Sequence, residues 1–411
     1  MKFIADLHIH SKYSRATSKN MDLDHLAKWA KIKGITLMGT GDFTHPIWSA
    51  YLEKNLESNG KGLFIYNHTY FMLTAELSSI YSKNGRVYRI HNLIFAPSFK
   101  TIKQINKTLM QIGNLHSDGR PILGLDTVKL AKIVFDIDEY CMIVPAHIWT
   151  PWFSLFGSKS GFDSLEDCFE KYSDKIYALE TGLSSDPAAN WRLSMLDKYA
   201  LISNSDSHSP QKIGREANVF DCELSFYDIR EALKNKDKNK FLQTIEFFPE
   251  EGKYHFDGHR NCNVRLSPQQ TRQNKNLCPE CNKPVTVGVM NRIESLADRE
   301  EGIVPQSAIP FKHLIPLDEI IAEMLGVGKT SKKVMQEYEQ AINKFSNEFE
   351  ILLHAPESDL YKSLPLKIAE GILKVRQGQV VINPGFDGEY GTIKIFQKPE
   401  RKVKESQLSL F

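Results

Sequence analysis

The five residues Asp6-Leu7-His8-Ile9-His10 constrain this chain more than any other stretch, because they set three side chains of metal-binding type directly after the apolar run Phe3-Ile4-Ala5. In an extended strand residues i, i+2 and i+4 share a face, so Asp6, His8 and His10 would all point the same way. An ordinary core strand carries no such face. Burying a carboxylate beside two imidazoles is costly without a cation, whereas a bound cation turns the same cluster into a favourable site.

The first 210 residues repeat this theme. Apolar runs at Lys2 to Ala5, Ile35 to Gly39, Tyr70 to Thr74, Arg89 to Phe95, Cys141 to Val144, Ile176 to Leu179 and Ala200 to Ile202 predict strands. Asp22 to Lys33, with apolar residues near the 3.6 period, predicts a helix between two of them. Most runs are followed at once by a candidate ligand: Asp6, His8 and His10, then Asp42, Glu76, His147, Glu180, and Asp206 with His208. His91 is the exception, near the start of its run. Strands alternating with helices suggest a parallel sheet, and a barrel of such units gathers its functional groups at the C-terminal strand ends. The expected fold is therefore α/β, a β/α barrel with one metal-lined mouth.

With 411 residues, 41% of them hydrophobic, the chain can build one large domain and a smaller one. A net charge of +2 neither argues for nor excludes nucleic acid. The N-terminus has no apolar core of a signal peptide and no run approaches a spanning helix, so the expected location is cytoplasmic, without membrane contact. Cys141, Cys168 and Cys222 are scattered while Cys262, Cys278 and Cys281 cluster, which suits a reducing compartment with one metal site.

That cluster reads His259-x2-Cys262-x15-Cys278-x2-Cys281, the spacing of a structural zinc ribbon, with His255 competing with His259 for the fourth position. Lys253 to Arg292 carries seven Lys/Arg against Asp257 and Glu280, so the ribbon is locally basic and suited to phosphate contact. Further on, Met324 to Lys333 carries Gly326, Gly328, Lys329 and Lys332. A nucleotide-binding P-loop fails there because Glu323 stands where a glycine is needed. The run looks instead like a helix-hairpin-helix turn, whose backbone amides and lysines can meet a DNA phosphate. Val380 to Ile382 and Thr392 to Phe396 predict a closing β-hairpin. Lys398 to Ser406 is charged and reads as a linker, and Gln407-Leu408-Ser409-Leu410-Phe411 places apolar residues that a partner would bury.

Taken together, Asp6 to Ser11, Gly41-Asp42, Glu76, His91, His147 and Ser205-Asp206-Ser207-His208 resemble the motifs of the polymerase and histidinol phosphatase (PHP) domain. That resemblance implies a distorted β/α barrel, up to three metal ions and phosphoester hydrolysis. It implies that His8, His10, Glu76 and Asp206 hold one ion, that Glu76 bridges to a second held by His91 and His147, and that Asp42 and His208 serve a third. Asp206 and Glu76 are the residues on which catalysis would turn. The chain departs from the family at the second motif, where Thr40-Gly41-Asp42-Phe43-Thr44-His45 leaves Asp42 or His45 as the ligand. Mixed His and carboxylate ligation fits zinc or manganese better than magnesium, which prefers oxygen, although magnesium stays open for activity.

With the ribbon, the hairpin turn and a tail resembling the motif by which bacterial repair and replication proteins bind the sliding clamp, the chain is similar to endonuclease Q across nearly its whole length. The resemblance implies a catalytic barrel over residues 1–248, a zinc-ribbon segment over 249–295, a small mixed α/β C-terminal DNA-binding domain over 296–397 and a tail over 398–411. It implies nicking on the 5′ side of uracil, hypoxanthine or xanthine and at abasic sites, with damaged DNA and the bacterial clamp as partners. Gln407, Leu408, Leu410 and Phe411 would meet the clamp, and Trp149 and Trp152 would wall a pocket for the extruded base. Two other readings remain: a PHP small-molecule phosphatase, and a non-catalytic DNA-binding adaptor tethered to the clamp.

Overall fold

The computed structural model describes residues 1–396. Gln407, Leu408, Leu410 and Phe411 lie outside the described residues. All seven predicted runs form strands, but not all of them join as repeated β/α units. In chain order the N-terminal strands are β1 (Lys2–Asp6), β2 (Leu37–Gly39), β3 (Glu57–Ser58), β4 (Phe64–Tyr66), β5 (Thr69–Lys83) and β6 (Arg86–Ala96). They continue with β7 (Ile122–Leu123), β8 (Met142–Pro145), β9 (Ala178–Glu180), β10 (Ala200–Ile202), β11 (Ala217–Asp221) and β12 (Phe241–Glu246). Asp22 caps the helix Leu23–Lys33 by accepting from the amide of His25, and Gly34 ends it in the left-handed region at φ 88°.

β1, β2 and β5 are parallel neighbours, yet β6 turns back antiparallel on β5 and β8 runs antiparallel to β6. This reversal explains His91. On a strand that runs the other way the functional end is the beginning, and Ser78↔His91 in the register puts that imidazole beside Glu76.

The expected closed barrel is not formed as a closed sheet. β9 and β10 make a separate parallel pair, cut off from the eleven-stranded sheet that holds β1 and β8. Single bonds and side chains span the two gaps. Ile148 N donates to Glu180 O at 3.0 Å on one side, and His10 N donates to Ser207 O at 3.0 Å on the other. Leu7 N donates to Asn204 Oδ1, whose amide Nδ2 in turn donates to Glu180. Polar bridges replace a ladder here because the strand ends are occupied by the functional cluster, whose side chains need the room.

A hairpin of β13 (Asp257–His259) and β14 (Val264–Leu266) begins the cysteine-bearing segment. β15 (Phe311–His313) returns to the main sheet parallel to β12. Helices Leu317–Leu325, Lys332–Phe345, Glu357–Ser363 and Leu366–Arg376 follow, and β16 (Val381–Asn383) and β17 (Thr392–Lys394) form the predicted closing hairpin. Gly326, in the left-handed region at φ 65°, ends the first of these helices, and Ser331 caps the second by accepting from Val334 N. The two helices are joined by a turn over residues 326–331, exposed at 326–330. The helical segment is fastened to the N-terminal part by the buried pair Lys33 and Glu348, 2.6 Å apart. Among the described residues no helix is long and apolar enough to cross a membrane.

Candidate active site

Leu7 and Ile9 enter the core while His8 and His10 turn the other way, so alternation delivers two imidazoles to one pocket although β1 itself stops at Asp6. β5 brings Glu76, β6 His91, the loop after β8 His147, and the loop after β10 Asp206 and His208. Three groups have ligand atoms within 4.8 Å of one another: His8, His10 and Glu76; Glu76, His91 and His147; His10, Asp206 and His208. Glu76 is thus common to two of them. Its Oε1 lies 2.7 Å from His91 Nδ1 and 3.1 Å from His147 Nε2, and its Oε2 lies 3.3 Å from His10 Nε2.

Four candidate ligands, Asp6, Asp42, His45 and Glu180, stand elsewhere. Asp42 joins none of the three groups; its Oδ1 lies 3.0 Å from His10 Nδ1, and its Oδ2 accepts from Ser11 N, Ser11 Oγ and Ser14 Oγ. A carboxylate on the far nitrogen of an imidazole fixes the ring and its tautomer, which makes Asp42 an orienting partner of His10. Asp6 is fully buried beneath the pocket, accepting from Ser205 N and Gly214 N; burial raises its carboxyl pKa to about 6 against those bonds. His45 is stacked on Tyr13, with ring centroids 4.4 Å apart, and joins no group either.

Glu180 does for His8 what Asp42 does for His10, with both oxygens 3.0 Å from Nδ1. Its position after a strand run was visible in the sequence, but its role was not. Arg120, for which the sequence offered no signal, reaches Glu76 Oε2 with Nη1 at 3.1 Å. Asp42, His147 and Asp206 have positive φ of 51°, 30° and 47°, a conformation non-glycine residues rarely adopt outside sites that need it.

The electrostatics suit a cation. His8 Nε2, His10 Nε2 and Asp206 Oδ1 are buried against one another, His10 Nε2 and Asp206 Oδ1 3.0 Å apart and His8 Nε2 3.6 Å from the same oxygen, without a well-aligned hydrogen bond among them, an arrangement a cation between them would satisfy. Burial opposes the imidazolium of His8, but Glu180, Asp206 and Glu76 outweigh it and raise its pKa well above the ordinary range. His10 is raised in the same sense by Asp42, Asp206 and Glu76 against burial. Burial likewise opposes the charged form of Asp206, yet His8 and His10 hold its carboxyl far below the usual range. Burial pushes His91 down to about 4. Buried carboxylates that draw protons onto their neighbours would take a divalent ion in the same place, and His and carboxylate donors are the set that zinc or manganese accepts.

A fourth group lies apart. His259, Cys262, Cys278 and Cys281 bring their ligand atoms within 4.8 Å, so His259 rather than His255 completes the set. His255 is not in the group; its ring lies tilted against Phe256, centroids 5.0 Å apart, with its Nδ1 unpartnered. Burial would raise the Cys278 thiol, but the amides of Glu280 and Cys281 outweigh it and lower its pKa, which favours the thiolate a metal binds.

The two tryptophans part company. Trp149 is 1% exposed, packs on Phe156 and donates from Nε1 to Asn190 Oδ1 at 2.7 Å. It is a core residue and cannot wall an open pocket. Trp152 is 40% exposed and edges onto Tyr254 at the base of the ribbon. At the hairpin turn Gly326, Gly328, Lys329 and Lys332 are all exposed, with Lys329 Nζ paired to Glu319 at 2.8 Å.

The sequence model for the MJ0043 C-terminal domain matches residues 316–379, the four-helix segment after β15. The uncharacterized protein YqxK of Bacillus subtilis is 33% identical over 412 aligned residues, 96% of this chain and 99% of that one. MJ0043 of Methanocaldococcus jannaschii is 35% identical over 261 residues, 62% of this chain but 32% of its own length, so the match spans about a third of that relative. Among solved structures, the lesion-specific endonuclease PfuEndoQ of Pyrococcus furiosus superposes with a TM-score of 0.87 at 32% identity, covering 100% of both chains. An endonuclease Q bound to a 27-mer duplex with an abasic lesion at its active site gives 0.84 at 32% identity and the same coverage. Fold and site together define the class as that of endonucleases built on this mixed α/β scaffold. Within it, the chain belongs to the endonuclease Q family.

Proposed function

We propose that this protein is a DNA repair endonuclease that hydrolyses the phosphodiester on the 5′ side of deaminated bases (uracil, hypoxanthine and xanthine) and at abasic sites. The observation that carries the reading is the convergence of buried His8 Nε2 and His10 Nε2 on two carboxylates, Glu76 and Asp206, in a chain matching a lesion-specific endonuclease over its full length. We read residues 1–248 as a catalytic part of PHP type, 249–295 as a ribbon segment and 296–397 as a DNA-binding part.

His8, His10, Glu76, His91, His147, Asp206 and His208 would hold the active-site ions. Divalent ions there would supply Lewis-acid chemistry, acidifying a water and neutralising charge on phosphoryl oxygens. Everything else falls to the chain. Glu180 and Asp42 keep Nε2 of His8 and His10 turned inward. Asp206, about a quarter exposed at the side chain, stands at the edge of the cluster where a phosphodiester can enter. The exposed Trp152 offers an aromatic face to an extruded base, and the basic ribbon and the turn at Gly326 to Lys332 offer donors to the DNA backbone. His259, Cys262, Cys278 and Cys281 would hold a structural zinc, a closed set of four protein ligands. Gln407, Leu408, Leu410 and Phe411 are proposed to bind the sliding clamp.

End-labelled duplexes carrying uracil, hypoxanthine, an abasic site or no lesion, with and without chelator, test the reading. The expected result is one nick on the 5′ side of each lesion, none on the intact duplex and none with chelator. Hydrolysis of a small phosphomonoester with no cut in any duplex would overturn it.

A further inference from the structure

We propose that Arg120 is a catalytic residue of this pocket, its guanidinium gripping a non-bridging oxygen of the phosphodiester being cut. The proposal rests on the phosphodiesterase reading above.

The chain around Arg120 is fixed on both sides. Gly119 N donates to Tyr13 O at 3.0 Å, Thr44 Oγ1 donates to Gly119 O at 3.2 Å, and Ser78 N donates to Pro121 O at 3.0 Å. A Cβ on Gly119 would come within 2.2 Å of Asp42 Oδ2 and 2.3 Å of Ser14 Oγ, so only glycine lets this loop lie so close under the cluster. Arg120 therefore enters the pocket from a position set by the same Asp42 that orients His10.

Its side chain is 30% exposed and has one hydrogen-bond partner among the described residues, Glu76. It is also the only Lys or Arg among the described residues that is ion-paired with a member of the cluster. Oε1 of Glu76 is met by His91 and His147, while Oε2 accepts from Arg120 and also faces Nε2 of His10 and His8, where an ion would sit. Once ions occupy the groups that share Glu76, a permanent cation 3.1 Å from the same carboxylate repels them. A second anion resolves that conflict. The planar fork of arginine keeps donors free toward the mouth, where two oxygens of a phosphate match its geometry, and a cation held in place beforehand stabilises charge that develops on them.

Steady-state cleavage of an abasic duplex by wild type, Arg120→Ala and Arg120→Lys tests this, with bound ions counted by elemental analysis and folding followed by thermal melting. We expect unchanged ion content in both variants. For Arg120→Ala, kcat should fall about a hundredfold or more with KM changed far less, the loss typical of one preorganised donor. Arg120→Lys should recover only part of the rate, because a point charge lacks the fork. Millimolar guanidinium should restore part of the Arg120→Ala rate where the same concentration of sodium chloride does not. Loss of ions from Arg120→Ala, or a kcat within about twofold of wild type at full ion content, would sink the role of Arg120 alone. A wild-type protein that cuts no duplex removes the endonuclease reading and this role with it.

Discussion

Two carboxylates set the direction of two imidazoles. Because Glu180 occupies Nδ1 of His8, the ring presents Nε2 to the cluster, and Asp42 does the same for His10. Glu180→Gln should keep the fold but lower ion affinity or activity about 10- to 100-fold, the usual result of removing such a partner; competition with a fluorescent chelator measures it. Beneath the pocket a different carboxyl titrates. Glu246 is fully buried among Thr181, Ser203 and Thr244, and burial lifts its pKa from 4.5 to about 7 against those hydroxyls, beside Glu216, which burial and Glu246 raise in the same direction. A raised carboxyl binds its proton more tightly folded than unfolded, so its contribution is fully present below 4.5 and is lost as pH rises through about 7. Glu246→Gln, isosteric with the protonated form, should melt like wild type near pH 5 and above it near pH 8. A wild-type advantage at pH 8 contradicts this. Among these residues, His8 and His10 were legible because alternation needs no tertiary knowledge. The roles of Glu180 and Asp42 were not, since a sequence does not say which nitrogen of an imidazole a carboxylate will meet, and Arg120 lies in a loop without a motif.

The long β5 and β6 hairpin is the element that organises the pocket. Strand positions could be read from apolar runs, but strand direction could not, and reversal of β6 is what turns His91 from an outlier into a neighbour of Glu76. Closure failed for a related reason: apolar runs predict strands but not the bridging by Glu180 and Asn204 that replaces the missing ladders between β8 and β9 and between β10 and β1. The cysteine cluster was more legible, because side chains of metal-binding type at fixed spacing leave little freedom, and the structure brings His259 rather than His255 to the three cysteines. Its hydrophobic support is slight, with Leu266, Cys278 and Val285 as a separate small core. A segment of that kind takes its stability from metal. Cys278→Ser combined with Cys281→Ser should release one zinc, expose the amides of residues 255–290 to hydrogen exchange and weaken lesion-DNA binding, while the ions of the main pocket stay. Unchanged zinc stoichiometry would show that the cysteines are not ligands.

Across the whole molecule, long-range contacts hold the later segments to the N-terminal part and to one another, among them the pair Arg292 and Asp163. β15 extends the main sheet beside β12, Lys33 and Glu348 pair in a dry contact, and the β16 and β17 hairpin leans on the ribbon through Phe386 and Phe256. These contacts were not readable from composition or motif spacing, because they join residues far apart in the chain. The proposed clamp motif lies outside the described residues. Deleting residues 407–411 should abolish clamp binding, for which micromolar affinity is the expected order after the cost of ordering the peptide, and should leave cleavage of a short lesion duplex unchanged. Loss of activity on the short duplex would show that the tail is no independent tether. The account as a whole stands on the pocket that joins His8, His10, Glu76 and Asp206. Cleavage of a uracil duplex mapped to the nucleotide, by wild type and by Asp206→Ala at equal concentration and with ion content measured, puts it to the test. The prediction is a single nick 5′ to uracil for wild type, and a variant that melts as a folded protein, has lost pocket ions and cuts nothing. Wild-type nicking by Asp206→Ala would take this pocket out of the reaction.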